Sequence, residues 1–260
     1  MTVTDANPFA STEAYYADHR PGYGDDVIEY IVERFALDDA ARVLDLGCGA
    51  GQITVPLAAH TGEVVGIDPN EAMVREARER ATAAGRENIE WIVGSDADLR
   101  PELGPLRLTT MGRSFHWMNQ EATLDSLFAT TEPGGGVALL GDDEWFTRGT
   151  RSWQDDVYTL ADDYLDDLPE RTGPIEYDDP WDELIAEFGF TDVETVAFES
   201  EREWTIDGIV GYVFSLSYCS PEIFGEEGEA FERDLRSRLR ERDEETFIED
   251  VRRTVISGRK

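Results

Sequence analysis

Residues 42–52 read Arg42-Val43-Leu44-Asp45-Leu46-Gly47-Cys48-Gly49-Ala50-Gly51-Gln52. Val43, Leu44 and Leu46 form a short apolar run of the kind that suits a strand buried on both faces. Three glycines follow at alternate positions, and Ile53-Thr54-Val55-Pro56-Leu57-Ala58-Ala59 then reads as the opening of a helix. A strand, a glycine turn and a helix in that order build a small-molecule site. Glycine accepts positive φ and lets a ligand approach the backbone, and the helix start offers N–H groups without partners in the helix.

Two ligands compete for such a loop, a dinucleotide and S-adenosylmethionine. The dinucleotide fingerprint is G-x-G-x-x-G, with the pyrophosphate on the helix N-terminus. Here the third glycine comes one residue early. Asp45 stands two residues before the first glycine, where a carboxylate repels a pyrophosphate and suits the α-ammonium of a methionine moiety, directly or through water. Downstream, Val64-Val65-Gly66-Ile67-Asp68 reads as a second buried strand that ends in an acid. An acid there accepts both ribose hydroxyls of either ligand, so Asp68 supports a nucleoside without choosing between the two.

The run from Val43 to Gly51 resembles the first motif of the class I S-adenosylmethionine-dependent methyltransferases. The resemblance implies a doubly wound α/β fold: a seven-stranded Rossmann-like methyltransferase sheet with a reversed hairpin at one edge, carrying a helical cap. It implies S-adenosylmethionine as cofactor. Asp45 and Gly47 then hold the methionine part, and Gly49 and Gly51 give close backbone approach, with Cys48 and Gln52 in the same loop. Asp68, followed by Pro69, holds the ribose. Residues after that acid often touch adenine or ribose in the family, which makes Met73 a candidate; a core methionine on a helix is the plainer reading. Gly94-Ser95-Asp96-Ala97-Asp98-Leu99 resembles the segment after the third strand, shifted by one residue. Either Ser95 or Asp96 takes the place of the acid that meets the adenine amino group. The chemistry needs an acceptor, so Asp96 is chosen, with the Ala97 N–H for a ring nitrogen.

Before the glycine loop, Tyr15-Tyr16-Ala17-Asp18-His19-Arg20-Pro21-Gly22-Tyr23 resembles a segment that folds over cofactor or substrate in many relatives. Tyr16 and Arg20 are lid candidates by that resemblance; a turn at Pro21 with Tyr23 packed on the core is the alternative. After the fourth strand, Gly112-Arg113-Ser114-Phe115-His116-Trp117-Met118 resembles the Gly-x-x-x-His-Trp segment of a subgroup like the trans-aconitate methyltransferases. This segment is expected to line the floor between sulfonium and acceptor. His116 is the candidate base, because imidazole titrates near neutrality; the alternative is that His116 and Trp117 only close the pocket. Arg113 suits a bidentate bond to a carboxylate or a surface salt bridge. Tyr212, Ser215 and Tyr218 fall at three-residue steps, near one face of an expected helix, and with Trp117 are candidates for acceptor contacts.

The organisation expected is one methyltransferase domain over residues 1–260. It comprises an N-terminal lid and helix (1–36), a cofactor-binding core (37–141), a substrate-recognition insert or cap (142–190) and C-terminal strands and helices (191–260). Trp145, Phe146, Trp153, Tyr158, Tyr164 and Tyr177 supply the insert with aromatics. The function implied is methyl transfer from S-adenosylmethionine to a small molecule by in-line displacement. The alternative is a regulatory or assembly protein that binds the cofactor without transferring methyl groups.

Composition limits the partners. The net charge is −34, and of 23 basic residues only Lys260 is a lysine. Acid-rich, lysine-poor surfaces fit a halophilic protein, because in molar salt the Debye length is about 3 Å and self-repulsion is screened. No basic cluster interleaved with aromatics is present, so no nucleic-acid partner is expected. The arginines of residues 233–242 alternate with acids and read as a solvated helix face. Cys48 and Cys219 do not make a disulfide scaffold, and three histidines form no metal-ligand pattern. No signal-peptide pattern or apolar run of membrane length occurs, which gives the expectation of a cytoplasmic protein without membrane contact. The charge predicts loss of structure in low salt. Far-ultraviolet circular dichroism should collapse between molar and millimolar salt, and an unchanged spectrum would count against the halophilic reading.

Overall fold

The computed structural model describes residues 13–172, 180–242 and 244–260. Tyr177 of the expected cap lies outside the described residues. In chain order the helices are α1 (Glu13–His19), α2 (Asp25–Arg34), α3 (Thr54–Leu57), α4 (Glu71–Ala83), α5 (Gln120–Thr130), α6 (Trp145–Arg148), α7 (Ser152–Asp162), α8 (Trp181–Glu187), α9 (Ile206–Phe214), α10 (Pro221–Phe224) and α11 (Gly228–Arg240). The strands are β1 (Arg42–Leu46), β2 (Glu63–Asp68), β3 (Ile89–Val93), β4 (Leu106–Gly112), β5 (Thr131–Asp142), β6 (Thr191–Trp204) and β7 (Phe247–Arg259).

These strands form a single sheet in the order β3-β2-β1-β4-β5-β7-β6. Strands β1 to β5 pair in parallel, and β7 runs antiparallel to β5. The order reverses between β1 and β4, the switch point beyond whose strand ends such sheets bind ligands. This is the doubly wound seven-stranded sheet that the glycine motif implied.

The chain divides into two compact units. The first comprises Pro21–Asp142, Asp179–Phe198 and Arg253–Lys260, and the second Met1–Arg20, Asp143–Asp178 and Glu199–Arg252. Alternation along the strands gives the first unit two cores, one on each face of the sheet. Val43, Val64, Leu108 and Ala138 enter one core with Val27, Ile31 and Phe35 of the α2 region. Their neighbours Leu44, Val65 and Val137 enter the other with Leu124 and Leu127 of α5 and Ile185 of α8. Both faces are covered, so the strands need apolar residues at successive positions. The second unit has its own core, built from Trp145, Phe146, Trp153, Val157, Phe214 and Phe231 among others.

The Pro133-Gly134-Gly135 stretch lies within β5, where Gly134 N–H donates to Lys260 O and Lys260 N–H to Gly135 O; the register shifts between Leu106 and Leu108 on β4. Strand β6 runs to Trp204. One local expectation needs correction. Helix α9 ends at Phe214, so Tyr218 lies beyond the helix and shares no helix face with Tyr212.

Gly136 marks the tightest strand contact. A Cβ there would stand 2.0 Å from Gly258 O and 2.7 Å from Phe35 Cε1. Backbone on one side and a buried ring on the other leave no cheap relaxation, so Gly136→Ala is expected to cost about 3 kcal/mol or more. Urea unfolding in molar salt measures this, and a loss under 1 kcal/mol would show that β7 yields easily.

Candidate cofactor site

The site is built at the carboxyl ends of β1 and β2. Gly47 N–H and Cys48 N–H both donate to Ile67 O, at 2.8 and 3.0 Å, so the loop leaves β1 anchored to its neighbour. Gly47 and Gly51 have φ of +74° and +81°. Glycine occupies both positions without the steric cost of a side chain. The loop then passes directly into α3, whose first turn carries Thr54.

Asp45 is 1 % exposed. Thr54 Oγ1 donates to its Oδ2 at 2.5 Å and Thr110 Oγ1 to its Oδ1 at 2.8 Å. Burial pushes its carboxyl up to about 6, against the lowering effect of those hydroxyls. Asp68, at the end of β2, is only half-buried. Gly49 N–H donates to one of its oxygens and Asn70 N–H to the other, both at 2.9 Å. Burial raises its carboxyl as well, and the two backbone bonds oppose that. Each oxygen of Asp68 keeps acceptor capacity beyond its one amide. Asn70 caps α4 by accepting from Ala72 N–H and Met73 N–H, so Asp68, the glycine loop and the helix start are held together. Met73 is 3 % exposed and packs as core, whereas Pro69 is exposed. Cys48 is buried and its thiol is held well above its ordinary value by burial, which leaves it inert.

The other predicted residues fall nearby in the same unit with different partners. Asp96 Oδ2 accepts from Asn119 N–H at 3.0 Å and Thr123 Oγ1 at 3.4 Å. Ala97 N–H donates to Ser95 Oγ at 3.2 Å, so Ser95 is engaged in its own turn. Arg113 pairs through Nη1 with Asp142 Oδ1 at 2.8 Å, the surface-bridge alternative. His116 and Trp117 are exposed, Trp117 to 66 %, with ring centroids 5.0 Å apart.

The second unit gathers Tyr16, Arg20, Tyr212 and Tyr218. The Arg20 guanidinium lies 4.8 Å from the Tyr212 ring centroid and 5.4 Å from that of Tyr16. It donates to Tyr212 Oη at 3.4 Å and meets Glu144 Oε2 at 3.6 Å. Tyr218 Oη–H donates to Glu144 Oε1, and burial with that carboxylate keeps the phenol protonated. Ser215 is fully buried and its hydroxyl donates to Tyr212 O of its own helix at 2.6 Å. Glu144 is a residue that sequence reasoning missed. Its only signal is an acid directly before the Trp145-Phe146 pair.

A cofactor fit can be tested on one atom. Gln52 Nε2 is buried without a hydrogen-bond acceptor among the described residues. A buried donor left unpaired asks for a partner, and it stands in the glycine loop beside Gly51. With the half-buried Asp68 it provides a donor and an acceptor such as an amino-acid and ribose moiety need.

A family model described as a methyltransferase domain matches residues 43–135. An uncharacterised methyltransferase of Schizosaccharomyces pombe is 24 % identical over 211 residues, which cover 80 % of this chain and 78 % of that protein. The trans-aconitate 2-methyltransferase of Variovorax paradoxus is 37 % identical over 112 residues, 42 % of this chain and 41 % of that protein. The chain carries a methyltransferase domain and is an S-adenosylmethionine-dependent methyltransferase. A solved methyltransferase from Geobacter sulfurreducens, in complex with S-adenosyl-L-homocysteine, shares the fold. The TM-score is 0.55, the identity 17 %, and the match covers 99 % of each chain. Among the described residues, the methyltransferase has no helix long and apolar enough to cross a membrane, and no group of metal-ligating side chains.

Asp45 gives this site a pH signature. Its folded value near 6 lies above the ordinary 3.8, so the folded state favours the protonated form. That contribution to stability is complete below about pH 4 and is lost as pH rises through about 6, a span worth up to about 3 kcal/mol. Asp45→Asn stays neutral throughout. Between pH 4 and 7 the stability of the wild type relative to this variant should fall by that amount, as read by urea unfolding at fixed salt. A constant difference would show that Asp45 does not titrate in this range.

Proposed function

We propose that this methyltransferase acts on a small-molecule acceptor by in-line displacement. The bound cofactor supplies an electrophilic methyl group. The chain's own residues hold the reactants in line and exclude water, which can lower the barrier by several kcal/mol. The observation that carries the reading is Asp68: a half-buried carboxylate fixed by Gly49 N–H and Asn70 N–H at the switch-point end of the sheet. It holds the ribose hydroxyls. Gln52 and the backbone from Gly47 to Gly51 hold the methionine end. Asp45, closed behind the loop, acts on the methionine end through the loop that it orders by Thr54 and Thr110. Both hydrogen bonds of Asp96 fall on Oδ2, and its adenine role is assigned to Oδ1.

Tyr212 and Tyr218 are assigned to acceptor recognition, and the closed hydroxyl of Ser215 speaks against a contact there. An ionised carboxylate acceptor needs no base. A phenol, amine or carbon acid needs one, and the exposed His116 is the candidate. A surface with 57 acids against 23 basic residues supports a small acceptor over a polyphosphate chain.

Calorimetry in molar salt with S-adenosylhomocysteine, with a dinucleotide as control, tests the cofactor site. Binding of S-adenosylhomocysteine alone is expected, and Asp68→Ala should weaken it at least about tenfold while the fold persists, as expected for a lost pair of charge-assisted hydrogen bonds. Unchanged affinity in that variant would remove Asp68 from the site. An acceptor screen with His116→Ala then separates acceptors that need a base from those that do not.

A further inference from the structure

The Leu46–Gly47 peptide is where β1 becomes the cofactor loop. Its N–H end is tied, since Gly47 N–H donates to Ile67 O on β2. Its carbonyl end faces the other neighbour, as the contact of Thr110 Oγ1 with Leu44 O two residues earlier shows. On that side the β1–β4 ladder stops at Asp45↔Thr110. Beyond it, Arg113 takes φ +54° and gives its N–H to Leu140 O on β5.

Ser114 lies on this side of the peptide. Its Oγ–H donates to Leu46 O at 2.7 Å, and the residue is 9 % exposed. It also packs against the open side of Gly47, where an added Cβ would stand 2.4 Å from Ser114 Cβ. Ser114 O accepts from Trp117 N–H at 3.0 Å, so the same residue starts the turn that carries His116 and Trp117.

We infer that Ser114 is a positioning residue of the methyltransferase: by holding Leu46 O it fixes the plane of the peptide that opens the cofactor loop, and joins that loop to the His116–Trp117 turn. Without the hydroxyl, Leu46 O loses a buried side-chain donor, and the backbone that meets the methionine moiety loses part of what sets its orientation. This inference rests on the cofactor assignment of the preceding section.

The test compares Ser114→Ala with Thr131→Val in molar salt. Thr131 Oγ1 donates to Leu127 O at 2.6 Å and is likewise buried, at the start of β5, so its variant loses a similar bond outside the loop. Both should lower the unfolding midpoint by similar amounts. Only Ser114→Ala should weaken S-adenosylhomocysteine binding, by about 5- to 30-fold for one buried hydrogen bond. Wild-type affinity in Ser114→Ala, or equal weakening in Thr131→Val, overturns the inference. Absence of binding by the wild type itself overturns the cofactor assignment, and is seen before any variant is made.

Discussion

The carboxylate of Asp45 is the constraint from which the rest of the site follows. A charge buried this deeply costs several kcal/mol unless polar groups surround it. Among the described residues no cation pairs with it; two threonine hydroxyls reach it, one from α3 and one from β4. Because each oxygen has its own donor, the three elements that supply acid and donors are fixed relative to one another. The chain must cover the distance from Asp45 to Thr54 in a tight loop, and positive φ at Gly47 and Gly51 is how it does so. The glycines are thus demanded twice, by the turn that satisfies the acid and by the ligand that approaches the turn.

Asp68 is the counterpart on the next strand. The two acids end adjacent parallel strands, yet their surroundings separate their chemistry. Asp45 receives the hydroxyls of Thr54 and Thr110 and is closed to solvent. Asp68 receives two backbone amides, one on each oxygen, and stays half open. Desolvation is the largest effect on both, and the charge of Asp68 adds a smaller upward push on Asp45. A closed acid shapes the loop, and a half-open acid keeps acceptor capacity toward solvent.

The strands and the glycine loop were legible in the sequence because their causes are local. A strand buried on both faces must be apolar at successive positions, and β1, β2 and β4 are. The site beyond them was less legible because its partners come from distant segments. Asp96 stood out as an acceptor, but nothing local says that Asn119 and Thr123 share it. The three-residue spacing of Tyr212, Ser215 and Tyr218 assumed a helix that stops after Phe214. Glu144, which holds Tyr218 and Arg20, is one acid among 57 in this chain. Composition hid it, since an acid carries little information where acids are everywhere.

That same composition explains the choice of cation. With 23 basic residues against 57 acids, each cation must serve more than one partner. Arginine can, because its planar fork presents five donors, whereas a lysine ammonium is a strongly hydrated point charge. Arg34 bonds Ser257, Asp192 and Glu194 together, and Arg151 bridges Asp250 and Glu201. Arg171 ties Asp155 to the carbonyls of Trp145, Phe146 and Gly149 at the end of α6. Many of these contacts are at or near 3 Å, the spacing a planar fork sets against its partners, and lysine in the same places would give up that geometry without relieving the charge.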